Sequence, residues 1–213
     1  MAPQATAVAI CDEYAVAATS KRLLRVFSFS GMEKNVLVLP GPVVCMHGLG
    51  ALLGVVYHHP SSPSPEGDQV LEFQLMDLKG NRVTAKDYVG LSPKATIEWF
   101  QVVRPGLVAA MDSEGVVMIH TPAEMGGQWT PVLDIKTCNQ PRDWFWPISI
   151  DDFHLTGVVC KEEKRSVPAN EEERISERGS TAFLHDRLMV EEPPRMCIFN
   201  SAAALALGVF GVA

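Results

Sequence analysis

The chain has no C-x-x-C pair. Its five cysteines, Cys11, Cys45, Cys138, Cys160 and Cys197, are scattered and odd in number. That pattern signals neither a zinc motif nor a disulfide framework, and reduced thiols of cytosol or nucleus fit it best. Long apolar runs are also missing: the stretch Ser201 to Ala213 is almost wholly apolar but too short to cross a bilayer as a helix, so it reads as a buried segment and no membrane association is expected. Met1 to Ala9 lacks a basic region ahead of an apolar one, which argues against a secretory signal. Positive charge is scarce, with 18 Lys and Arg against 25 Asp and Glu and a net charge of −7. Non-specific duplex binding draws its affinity from Lys and Arg at phosphates, so direct DNA binding by this chain is not expected. The most basic stretch, Lys161, Lys164 and Arg165, encloses Glu162 and Glu163 and reads as a solvated loop.

Motifs that carry chemistry are absent too. There is no G-x-x-x-x-G-K-[ST] phosphate loop, no G-x-G-x-x-G after a strand, no G-x-S-x-G elbow and no H-E-x-x-H helix. His58 and His59 are adjacent, so on a strand they point to opposite faces and do not grip one metal. Asp112 and Glu114, beside Gly115, lack the dense carboxylates of a calcium loop and read as a hairpin turn. The one cluster that a small hydrolase would use is Asp151, Asp152 and His154, yet no Ser or Cys nucleophile stands in a recognisable motif near it, and a polar inter-strand turn is the alternative. No catalytic residue, cofactor site or metal site is assigned.

What the sequence does contain is turns and short apolar runs. Apolar residues make up 47% of the chain and charged residues 20%, with 16 Gly and 15 Pro, a mixture that leans towards all-β structure. Strands are predicted at Thr6–Cys11, Tyr14–Thr19, Leu23–Ser28 and Glu33–Leu39. A second group covers Pro42–Gly48, Leu52–Tyr57, Val70–Asp77 and Arg82–Asp87, and a third Thr96–Val103, Leu107–Met111, Val116–His120 and Trp129–Ile135. Trp144–Ile150 and Phe153–Cys160 begin a fourth. The Pro- and Ser-rich stretch Pro60 to Asp68 reads as an exposed loop. The groups start at Thr6, Pro42, Thr96 and Trp144, spacings that bracket the ~40–50 residues of one propeller blade; a β-sandwich would also give hairpins at this spacing. Alternation predicts burial of Leu24, Val26, Val44, Val56, Leu71, Phe73, Val108, Val117 and Ile119. The tryptophans Trp99, Trp129, Trp144 and Trp146 read as core or seam fillers, with one of the pair in Trp144-Phe145-Trp146 available to a partner. After Cys160 the composition turns to Glu, Lys and Arg, which reads as loop or loose helix, and Phe183–Val190 and the apolar end as possible helices outside the blade rhythm.

Several of these runs occur in one order: Ala17-Ala18-Thr19-Ser20 with Leu23-Leu24-Arg25-Val26-Phe27, Gly41-Pro42-Val43-Val44-Cys45-Met46, Val55-Val56-Tyr57-His58, Gly67-Asp68-Gln69, Asp112-Ser113-Glu114-Gly115-Val116-Val117 and Trp129-Thr130-Pro131-Val132-Leu133. Over Thr6 to Cys160 the set resembles the second, SepB-type propeller of the WD-repeat and HMG-box DNA-binding protein family, whose fungal relatives are chromosome transmission fidelity and minichromosome loss factors. The resemblance implies a six-bladed propeller that trimerises in the nucleus. It also implies a non-enzymatic adaptor in DNA replication and the cell cycle, linking replicative helicase components to DNA polymerase alpha–primase on chromatin. The chain departs from the family pattern. It shows no WD40 propeller upstream, enters the SepB propeller after its first blades and lacks the helical domain expected beyond Cys160, so peptide capture and HMG-type DNA binding are not carried over. The expected architecture is an all-β, partial β-propeller of about three and a half four-stranded antiparallel blades over residues 5–160. Residues 161–213 are expected to form a charged linker and an apolar tail, poorly structured or partly helical, and the whole is read as a fragment or short isoform.

The missing motifs predict that the purified chain hydrolyses neither nucleotides nor common esters and holds no stoichiometric metal. Turnover assays and elemental analysis check this; an activity lost in Asp152→Ala or His154→Ala would contradict it.

Overall fold

The computed structural model describes residues 4–60, 67–104, 107–121, 126–138, 144–151, 154–160 and 195–200. They form four antiparallel meanders in chain order. The first sheet is β1 (Ala5–Ile10), β2 (Tyr14–Thr19), β3 (Leu23–Ser28) and β4 (Glu33–Val38); the second is β5 (Val43–Leu49), β6 (Leu52–His58), β7 (Leu71–Asp77) and β8 (Arg82–Tyr88). The third is β9 (Ile97–Arg104), β10 (Leu107–Asp112), β11 (Val116–His120) and β12 (Trp129–Asp134), followed by the single helical turn α1 (Ile135–Cys138). The fourth holds β13 (Trp144–Ile150), β14 (His154–Cys160) and β15 (Arg195–Asn200). First strands lie side by side, β1 against β5, β5 against β9 and β9 against β13, so the sheets fan out from one line as blades of a partial β-propeller.

The second and third sheets each pack one face on the sheet before and the other on the sheet after. In the first seam Val16, Ala18, Leu24 and Val26 of the first sheet meet Leu53, Val55 and Tyr57 of the second. In the next, Val56, Leu71, Phe73 and Leu75 meet Phe100, Val102, Val108 and Ala110. In the last, Leu107, Ala109, Val117 and Ile119 meet Phe145, Ile150 and Leu155. The middle strands of the second and third sheets therefore bury both faces, and all six residues of β10 are buried. That is why these strands read as continuous apolar runs instead of clean alternations.

Close packing fixes small residues in the second seam. A Cβ on Gly54 would lie 2.7 Å from both the Phe100 ring and the Val102 methyl. Two imidazoles add polar links to the same seam. The Val102 N–H donates to His47 Nδ1 at 3.2 Å, which requires that nitrogen to be unprotonated. His120, only 4% exposed, places Nε2 3.2 Å from Asp87 Oδ2 and so ties β11 to β8. Burial holds both imidazoles below their ordinary pKa of 6.5, in His120 against the opposing pull of Asp87.

Strand positions agree with the expected ones to within a residue or two, and eight of the nine expected core residues are buried. Val44 is not: it is only partly buried, because the register between β5 and β6 slips between Val43 and Cys45 and the bulge turns Val44 out of the alternation. A second correction concerns the tail. Arg195–Asn200, assigned from sequence to the segment after the blades, pairs antiparallel with β14 from His154↔Asn200 to Val159↔Arg195. An extended partner there satisfies the ladder groups of β14 that would otherwise need water. Residues 161–194 and 201–213, with the helices expected there, lie outside the described residues, as does most of the loop Pro60 to Asp68.

Gly54→Ala should lower stability by about 1–3 kcal/mol, since the added methyl must displace a ring and a valine in a filled seam; urea unfolding at fixed pH measures it. The two depressed histidines also set a pH dependence. The unfolded chain takes up protons first, so their contribution is complete above about pH 6.5 and declines as pH falls through the lower folded values. Melting temperature should drop between pH 7.5 and 5.5, on the order of a few degrees, and His120→Gln should flatten that drop. An unchanged slope in the variant would remove His120 from the account.

Candidate interaction surface

The acidic and imidazole groups that chemistry would need are engaged in holding turns. Asp112, fully buried, ends β10, and its Oδ1 accepts the N–H groups of Glu114 and Val116, both at 3.0 Å. Its Oδ2 accepts the Ser92 N–H, also at 3.0 Å. Gly115 completes this turn at φ +80°, a conformation that suits glycine. The three backbone donors take the place of water around this carboxylate, which orders both the β10–β11 turn and the approach to β9. The hairpin reading of Asp112 and Glu114 therefore stands, and Glu114 pairs with Lys136 at 2.7 Å on the surface.

Asp151 and His154 do meet, but as the two ends of the turn between β13 and β14. The Asp151 N–H donates to the His154 carbonyl at 2.9 Å, and the His154 N–H donates to Asp151 Oδ1 at 2.8 Å. The imidazole Nδ1 lies 3.3 Å from the same oxygen, with both side chains well exposed. Asp152 lies outside the described residues. No group of three His, Cys, Asp or Glu side chains is arranged to hold a metal among the described residues. His59 lies against the Tyr88 ring, with 5.2 Å between ring centres. Burial raises the thiols of Cys11 to about 11 and Cys45 to about 12, so neither is a nucleophile at neutral pH.

Among the described residues two kinds of surface face outward. One is a groove of about 340 Å³ where the second sheet hands over to the third, lined by Asp68, Gln69, Tyr88, Leu91, Ser92 and Pro93 among others. Its polar members serve the fold: Asp68 Oδ1 accepts the Lys94 N–H at 2.8 Å, and Gln69 Oε1 accepts the Ile97 N–H at 3.1 Å. Beneath it Phe73, His120 and Trp129 form a tight cluster, with the Phe73 ring 4.9 Å from His120 and 5.5 Å from Trp129, and the Trp129 indole N–H donates to the Tyr88 carbonyl. Trp129 is thus a seam filler, as expected. The other surface is apolar and lies on the outer faces of the end sheets, at Val8, Ile10 and Val38 on one side and Trp146 and Ile148 on the other.

The groove residues were not singled out from sequence, although Gly67-Asp68-Gln69 marked their position. The structure shows what that motif does beside the Asp112 turn: Asp68, Gln69 and Asp112 all brace the one segment, Ser92 to Ile97, that leads into β9.

Comparison with known proteins identifies this scaffold. The family model for the middle region of the minichromosome loss protein Mcl1 matches residues 2–177. WD repeat and HMG-box DNA-binding protein 1 of Mus musculus is 38% identical over 153 residues, which cover 70% of this chain and 13% of that protein. Protein ENHANCER OF LHP1 1 of Arabidopsis thaliana is 33% identical over 148 residues, covering 70% of this chain and 15% of that one. The chain thus spans about one seventh of these relatives' length. Among solved structures, KlHsv2 with loop 6CD replaced by a Gly-Ser linker superposes with a TM-score of 0.51 at 10% identity, over 72% of this chain and 48% of that one, a likeness of fold alone. With most of its length matched by the family model, the chain belongs to the family of the minichromosome loss protein Mcl1 middle region.

Proposed function

We propose that the chain is a non-enzymatic scaffold of DNA replication in the nucleus, contributing to a platform that links replicative helicase components to DNA polymerase alpha–primase. The observation that carries this reading is the family match over residues 2–177. Relatives named for WD repeats and an HMG box support a role on chromatin. The chemistry of the described residues agrees: Asp112, Asp151 and His154, the groups an active site would draw on, are spent on turns. With a net charge of −7, the chain suits protein partners better than the phosphate backbone. Homotrimerisation belongs to the same proposal by family resemblance.

A platform recognises partners through blades held at fixed mutual angles, and a partial ring lacks the ring-closing contacts that fix them, so the ordering cost on binding rises. Co-precipitation at matched concentration tests this, with this chain and a full-length family member each presented with helicase and polymerase alpha components. The chain should recover those components above a control but less well than the full-length protein. Recovery no better than control would overturn the adaptor reading, whereas equal recovery would show that the main binding surface lies within these blades.

A further inference from the structure

Ser62, Ser64, Ser92, Thr121 and Thr130 are each followed by proline, and the last three are described residues set in different surroundings. Thr121 is 6% exposed, and its hydroxyl is tied twice to Gln128, donating to the carbonyl and accepting the N–H, both at 3.3 Å. Thr130 lies within β12, opposite Ile119 in the ladder with β11. Ser92 stands instead in the connection from β8 to β9, where it lines the groove and is followed by the exposed Pro93 and Lys94. The Ala95 N–H donates to the Ser92 carbonyl at 3.0 Å, closing a turn with Pro93 second and Lys94 third. Lys94 has φ +62°, a left-handed conformation for which glycine is the ordinary choice at that place in a turn. Two carboxylates from other elements clamp this turn: Asp112 Oδ2 accepts the Ser92 N–H at 3.0 Å, and Asp68 Oδ1 accepts the Lys94 N–H at 2.8 Å.

We propose that Ser92 is a phosphorylation site for a proline-directed protein kinase, and that the phosphate releases the clamp where the second sheet hands over to the third. Access comes first. A kinase takes its substrate hydroxyl in an extended segment, which the paired β12 and the tied Thr121 do not give without unfolding; the Ser92 turn lies outside the sheets and relaxes its left-handed residue on extending. In the transfer the Ser92 Oγ bonds to the γ-phosphorus of ATP as the bond from that phosphorus to the β–γ bridging oxygen breaks. The hydroxyl proton passes to the kinase's catalytic carboxylate and ADP leaves. The product carries about −1.5 to −2 charges at pH 7. From Leu91 to Ile97 the chain has one cation, Lys94, whereas the fully buried Asp112 carboxylate lies one hydrogen bond from the modified residue's own N–H. A phosphate set beside a carboxylate disrupts by like-charge repulsion and by the cost of desolvating both. Because Asp112 Oδ1 also holds the N–H groups of Glu114 and Val116, displacing it loosens the β10–β11 turn together with the entry to β9.

The test uses the full chain carrying Ser62→Ala and Ser64→Ala, so that Ser92 is the serine read, incubated with ATP and a cyclin-dependent kinase. Mass spectrometry maps the phosphate, and hydrogen exchange compares the chain before and after modification. Phosphate should appear on Ser92 and not on Thr121 or Thr130. Exchange across residues 92–97 and 112–116 should then quicken by about tenfold or more, with β3 unchanged. Ser92→Ala in the same background should block modification and keep the unmodified exchange pattern, because Asp112 holds the backbone N–H and not the hydroxyl. A chain left without phosphate on Ser92 by a kinase that modifies a control peptide would overturn the proposal. Equal phosphate on Thr130 would do the same, by showing that the kinase reads the unfolded chain. So would a modified chain whose exchange at Glu114 and Val116 is unaltered.

Discussion

Everything in this structure depends on strands that are apolar on both faces and must be covered on both. Leu53 to Tyr57 and Leu107 to Met111 are such runs, and a four-stranded meander built around one of them cannot be a lone sheet with a wet side. The solution is stacking about a line of first strands, each sheet serving as the lid of the one before it. Burial of these seams is the main stabilising term, at roughly 25 cal/mol per Å² of apolar surface removed from water, and it is shared evenly along the chain instead of being concentrated in one centre.

The same constraint governs where polar groups go. With both sheet faces apolar, the places left for buried hydrogen bonding are the turns and the seam rims, and the structure fills them with carboxylates and amides that accept backbone N–H groups. Asp112 takes three, while Asp68 and Gln69 take one each. A buried donor without an acceptor costs about 1–3 kcal/mol, so these side chains hold loop geometry that packing alone would not fix. It follows that residues which look functional by type, such as Asp112 beside Glu114, are structural by role. Function in such a chain is carried by surface shape and by the angle between blades.

Much of this was legible beforehand. Turn residues such as Ser20, Gly31 and Gly115 punctuate apolar runs, and the runs read between such turns gave β2, β3, β11 and β13 to the residue. The bulge at Val44 was not legible, because a run such as Val43-Val44-Cys45-Met46 has no alternation from which a slip in register would show. Nor was the pairing of β15, which joins β14 across a long charged segment: strand pairing at that separation leaves no local signal. The groove beside Tyr88 arises from two segments, 68–71 and 88–95, that meet only in space.

The sequence by itself determined the strands, their grouping into repeating meanders and the family to which they belong, because those follow from local periodicity, turn chemistry and an ordered set of motifs. Tertiary structure alone decided which face of each strand meets which neighbour, that Gly54 must stay small beneath Phe100, and that His47 and His120 are held neutral in a seam. The physical reason is that a side chain's burial, protonation and partner are properties of the volume around it, and in this fold that volume is supplied by a different sheet.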